Sequence, residues 1–119
     1  MKIAVIFQRL EALAILFASI YFYHRLHLNI LLFAVLLLSF DIFMIGYLVN
    51  SKVGAYTYNI GHSFIVPSLL LVVGTASSSR IVIGFSLIWF AHIGLDRALG
   101  YGLKFTTGFT DTHLGRIGK

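Results

Sequence analysis

The sequence predicts an all-α fold: a four-helix transmembrane up-down-up-down bundle with a short C-terminal cytoplasmic tail. Composition is the first reason. Of 119 residues, 59% are apolar and only 11% charged, against roughly 25% charged in an ordinary soluble domain. A small soluble globule could not bury that much apolar surface. The mean hydropathy of +0.94 agrees. The second reason is spacing: the apolar residues gather into four runs of the length, about 20 residues, that crosses a hydrocarbon layer of roughly 30 Å. Short polar connections between the runs are the third, because they favour antiparallel neighbours.

Residues 1–119 are read as a single integral membrane domain, with spans at about 3–23, 28–49, 55–75 and 81–103 and a tail over 104–119. The first span carries Arg9 and Glu11. Lys2 and Arg9 resemble the basic region of a signal peptide, but Glu11 at the start of the apolar core and the lack of a small-x-small cleavage site favour a retained helix. His24, Arg25 and His27 connect it to the second span, which contains Asp41. Asn50, Ser51, Lys52 and Gly54 form the next turn. The third span holds Asn59, His62 and the only proline, Pro67. Pro67 has no N–H for the Ser63 carbonyl, so a kink near mid-membrane is expected there. Ser77–Arg80 is a polar loop, and the fourth span contains His92, Asp96 and Arg97. The tail is too short and polar to cross. It is expected either to fold as a strand of interfacial backbone beneath the bundle or to fray.

Charge sets the orientation. Lys2, Arg9, Lys52, Arg97, Lys104, Arg116 and Lys119 fall on one side of a four-span bundle, Arg25 and Arg80 on the other. The positive-inside bias puts both termini in the cytoplasm, with the chain in a bacterial inner membrane. Dispersed single cations read as membrane-flank anchors, so membrane lipids are the expected partners and nucleic acid is not. With no cysteine in the chain, disulfides, thiolate metal sites and cysteine nucleophiles are excluded.

Ionisable groups inside a membrane cost several kcal/mol and face the bundle interior by default. At about 1.5 Å per residue, Glu11, Asp41 and His62 all lie about 12 Å from the cytoplasmic surface, Asp96 about 10 Å and His92 about 16 Å. Carboxylates and imidazoles in one layer are the ligand types that hold iron, zinc or manganese in helix bundles. Glu11, Asp41, His62, His92 and Asp96 are therefore the candidate metal ligands for a divalent transition metal, iron or zinc. His92 and Asp96, four apart, share a helical face, as do Asn59 and His62. Arg9 and Glu11, two apart, point to nearly opposite sides. If Glu11 faces inward, Arg9 must snorkel to the headgroups or reach a neighbouring helix. Asp96 and His113 are candidate catalytic residues. Asn59, Arg97 and Lys104 are candidates to bind substrate, the two cations holding a phosphate headgroup. No HExxH or ExxH pattern occurs. The plainer reading is that these groups hydrogen-bond across helices and fix the packing.

Several of these positions also carry a resemblance. Arg9-Leu-Glu11, Asp41 followed by Gly46-Tyr47, Gly54, Tyr58-Asn59 with His62, and Pro67 resemble an uncharacterised bacterial family of small membrane proteins, domain of unknown function 4260. So do the run from Trp89 through His92, Asp96 and Arg97 to Gly100–Lys104, and Asp111-Thr112-His113-Leu114-Gly115-Arg116. The match covers essentially the whole chain and departs at Ser39-Phe40, where a small residue and a proline are expected. The resemblance implies a multi-pass membrane protein and no particular reaction. The function expected from the residues is an intramembrane metal-binding enzyme, a hydrolase or oxidoreductase, acting on a lipid or apolar substrate at the cytoplasmic leaflet. The alternatives are a homo-oligomeric transporter of protons or metal ions and a non-catalytic assembly protein.

Overall fold

In the computed structural model, residues 3–39, 48–100, 111–112 and 115–116 are described. The fold is a helical bundle of α1 (Ile3–Arg25), α2 (Ile30–Ser39), α3 (Ser51–His62), α4 (Ile65–Ala76) and α5 (Arg80–Ala98), followed by a two-residue antiparallel pair, β1 (Asp111–Thr112) with β2 (Gly115–Arg116). Thr112 stands opposite Gly115, so part of the tail does form strand. Ile3–Arg25, Ser51–Ala76 and Arg80–Ala98 are long and apolar enough to cross a membrane. The outward faces agree: Phe7, Phe17, Leu31, Ile65 and Leu69 are exposed, as an apolar solvent allows. This is a membrane protein.

Local chemistry sets the helix ends. Tyr23 Oη donates to the Asn29 carbonyl at 2.6 Å, and the Asn29 side chain accepts from Leu31 N at 2.7 Å, capping α2. The rest of that expected span, residues 40–47, lies outside the described residues. Asn50 caps α3 by accepting from Val53 N at 2.8 Å, so the helix begins at Ser51 rather than at Ala55. The three consecutive serines have different jobs. Ser77 Oγ donates to the Val73 carbonyl, Ser78 adopts φ 54°, and Ser79 caps α5 through Val82 N. α5 stops at Ala98, short of the expected Leu103, because Gly100 turns left-handed at φ 99°. Arg9 Nε donates to the Ala98 carbonyl at 2.9 Å, a cation on the negative end of the helix dipole.

The third span is two helices. The expected kink is a full break at Ser63–Phe64, with Ser63 extended at φ −94°, ψ 158°. A proline ring clashes with the carbonyl four residues back, and Ser63 is that residue. Pro67 itself falls in the first turn of α4, where a missing N–H has no helical partner to lose.

α5 is the centre of the bundle and packs on α1, α4 and α2. Leu87, Ile88, Trp89, Ala91 and Ile93 form the core with Tyr23 from α1 and Phe33 from α2. Small residues permit the close approach. A Cβ at Gly94 would lie 2.8 Å from the Ala12 carbonyl oxygen, and one at Gly74 would lie 2.9 Å from Ile83 N. Close backbone contact is how helices gain dispersion energy where no hydrophobic effect drives them together. Gly94→Leu is therefore expected to lower stability by about 1–3 kcal/mol by prising α1 from α5. Ser79→Ala removes the α5 cap and costs about 1 kcal/mol. Thermal unfolding of the purified variants in detergent checks both.

Candidate metal centre

The break after α3 leaves its last carbonyls without helical partners, and inside a bilayer no water can reach them. α5 supplies donors instead. Trp89 Nε1 donates to the Gly61 carbonyl at 2.6 Å, and Arg97 Nη2 donates to the His62 carbonyl at 3.3 Å. The Arg97 guanidinium lies 4.5 Å from the centre of the Phe64 ring, a cation–π contact at the helix break. These contacts fix the C-terminal turn of α3, and with it His62, against the polar face of α5.

His62 and His92 are both 3% exposed. His62 Nδ1 contacts the Tyr58 carbonyl at 3.0 Å, and the Tyr58 ring stacks on the imidazole at 3.8 Å between centroids, with 4° between planes. His92 Nδ1 contacts the Leu37 carbonyl of α2. A carbonyl oxygen can only accept, so each Nδ1 carries the proton. The two Nε2 atoms then face each other at 2.9 Å, with Asp96 Oδ2 3.2 Å from His62 Nε2 and 3.3 Å from His92 Nε2. In neutral imidazoles both nitrogens are bare lone pairs, and the third group is a carboxylate oxygen. Three acceptors this close repel unless a cation or a shared proton lies among them.

The dimensions suit an ion. Ligand atoms about 2.0–2.2 Å from one zinc-sized cation in tetrahedral array stand about 3.3 Å apart. Imidazoles that donate Nδ1–H to backbone carbonyls and turn Nε2 inward have the arrangement that orients metal-ligating histidines. Asp96 retains 18% exposure of its side chain, so the cluster is reached from one side. A carboxylate in the last turn of a helix also opposes the helix dipole. Positive charge at the cluster offsets that penalty.

The cluster His62–His92–Asp96 unites three of the five candidate ligands. Glu11 is not among them. It lies exposed on α1, because the two-residue spacing turns one of the pair outward and Arg9 takes the inward place at the end of α5. Asp41, Lys104 and His113 fall outside the described residues. Asn59 sits half-buried one turn before His62, and its carbonyl accepts from Ser63 N at 2.9 Å. Arg97 is engaged by the His62 carbonyl and the Phe64 ring. Its Nε is buried with no hydrogen-bond partner among the described residues. The roles of Trp89 and of the Leu37 carbonyl were not legible as site features. Only Pro67, through Ser63 four residues before it, signalled where carbonyls would need donors.

The family model for a domain of unknown function, DUF4260, matches residues 5–117. The chain belongs to the DUF4260 family. No curated protein and no solved structure matches this DUF4260 chain. The cluster lies wholly inside the matched region, on the third and fourth spans.

Trp89→Phe strands the Gly61 carbonyl in an apolar medium. It should cost about 1–3 kcal/mol in thermal unfolding followed by circular dichroism. A change of a few tenths would show that the bond does not hold the end of α3.

Proposed function

We propose that this protein is a membrane-embedded metalloenzyme, a hydrolase or oxidoreductase acting on a lipid or other apolar substrate at the cytoplasmic leaflet. His62, His92 and Asp96 are its ligands. The carrying observation is the proton count: two imidazoles spend their N–H groups on carbonyls and turn their remaining nitrogens, 2.9 Å apart, onto one carboxylate oxygen at 3.2 and 3.3 Å. Two histidines and a carboxylate are the donor set of both hydrolytic zinc and mononuclear iron sites, with positions left open for water or substrate. Bound there, such an ion would activate water for hydrolysis or, as iron, dioxygen. Arg97, next in sequence to Asp96, has one buried donor in reserve for an anionic headgroup. Seven cations on the terminal side against two on the other support cytoplasmic termini in a bacterial inner membrane.

Transport along the same groups would need a polar path to the opposite end. Among the described residues, the hydroxyls on that route are spent on backbone carbonyls: Ser19 on Ile15, Tyr23 on Asn29 and Ser86 on Pro67. That favours a closed centre over a channel.

Elemental analysis of the protein purified in detergent should find stoichiometric iron or zinc. The metal should fall to background in His62→Ala and His92→Ala. Adding the metal at a hundredfold excess over its dissociation constant should stabilise the stripped wild type by about 2.7 kcal/mol and leave His92→Ala unmoved. Wild-type protein that neither carries nor takes up metal would overturn the reading.

A further inference from the structure

A cavity of about 210 Å³ lies along the seam between α2 and α5, apart from the metal ligands. One wall is Leu32 and Leu36 of α2 with Leu28 just before it, and the α5 wall is Ile81, Gly84, Phe85 and Ile88. The α5 positions recur at three and four residues, so they form one stripe, and His92 continues it one turn beyond Ile88. Leu32 and Leu36 are four apart on α2, and Leu37, whose carbonyl holds the His92 imidazole, follows Leu36 directly. The cavity therefore ends about 6 Å, one helical turn, from the proposed metal centre.

The walls decide what fits. Every lining side chain is apolar except Tyr23, whose hydroxyl is committed to the Asn29 carbonyl at 2.6 Å. A cavity with no polar partner stays dry and takes apolar matter. Of its lining residues, Leu32 and Ile81 are 45% and 74% exposed, so hydrocarbon is what meets the seam. The volume is below the roughly 300–1,000 Å³ of pockets that enclose drug-sized ligands, which suits one thin chain and not a fused-ring lipid. Gly84 keeps the wall thin, since a Cβ there would run into the Leu28 side chain.

We infer that this seam holds the hydrocarbon tail of the substrate, a single unbranched acyl chain that enters from the bilayer and points its reactive end at His92. The inference rests on the metalloenzyme reading for that last contact, while occupancy of the seam stands independently of it. Trp89, the only tryptophan, reports occupancy because its ring meets Phe85 of the cavity wall at 6.0 Å between centroids.

The experiment titrates detergent-solubilised protein with a fatty acid brominated at mid-chain, follows quenching of Trp89, and measures bound metal in the same samples. Saturable quenching that unbrominated fatty acid reverses is expected. Gly84→Leu should weaken it about tenfold or more by filling the seam. Leu32→Phe, at an exposed position that spares the core, should weaken it in the same direction with metal content unchanged. Equal affinity in wild type and Leu32→Phe, or equal quenching by a brominated sterol, would overturn the assignment. Metal-free protein that still shows saturable quenching would remove the metalloenzyme reading and leave the acyl-chain site standing.

Discussion

The obligation to satisfy every backbone group without water governs this molecule. Most of its helices meet that obligation internally, but the third span breaks at Ser63–Phe64 and exposes the carbonyls of Gly61 and His62. Trp89 and Arg97, two turns apart on α5, supply the missing donors. The break is thereby held at one height and one rotation against α5. His62 ends the broken helix, so the bonds that satisfy the backbone also set the imidazole opposite His92. Structural need and site geometry are met by the same few contacts.

α5 can serve as the common partner because its surface mixes two kinds of residue. Gly94 lets the α1 backbone come close, and Leu87, Ile88, Trp89 and Ile93 fill the space between helices. Dispersion contacts of this kind are individually small and collectively large. Half of α5 is buried, whereas α1 is mostly exposed to what must be lipid. A polar cluster is tolerable in such a helix because α3 and α2 meet it there, through His62 and the Leu37 carbonyl.

Much of this is legible in the sequence alone. Span lengths follow from hydropathy and bilayer thickness, and the His92–Asp96 pair follows from the helical repeat. Depth counting set His62 near the same height as that pair. Other features have no signature in one sequence. A two-residue spacing says that Arg9 and Glu11 diverge without saying which turns inward. The outcome depends on a helix end, Ala98, that itself depends on Gly100 turning left-handed. Proline announced a disturbance, yet whether a helix bends or separates depends on what stands ready to satisfy the freed carbonyls. The acceptor for His92 is a backbone carbonyl, Leu37, and every residue has one.

That last bond joins two things usually treated apart. Leu37 belongs to a short, lipid-exposed helix, and the direction of the His92 ring depends on where its oxygen sits. Helix tilt answers to the thickness of the surrounding bilayer. The ring and the lipid around α2 are thus parts of one mechanical linkage, and a membrane that leans α2 over also swivels an imidazole.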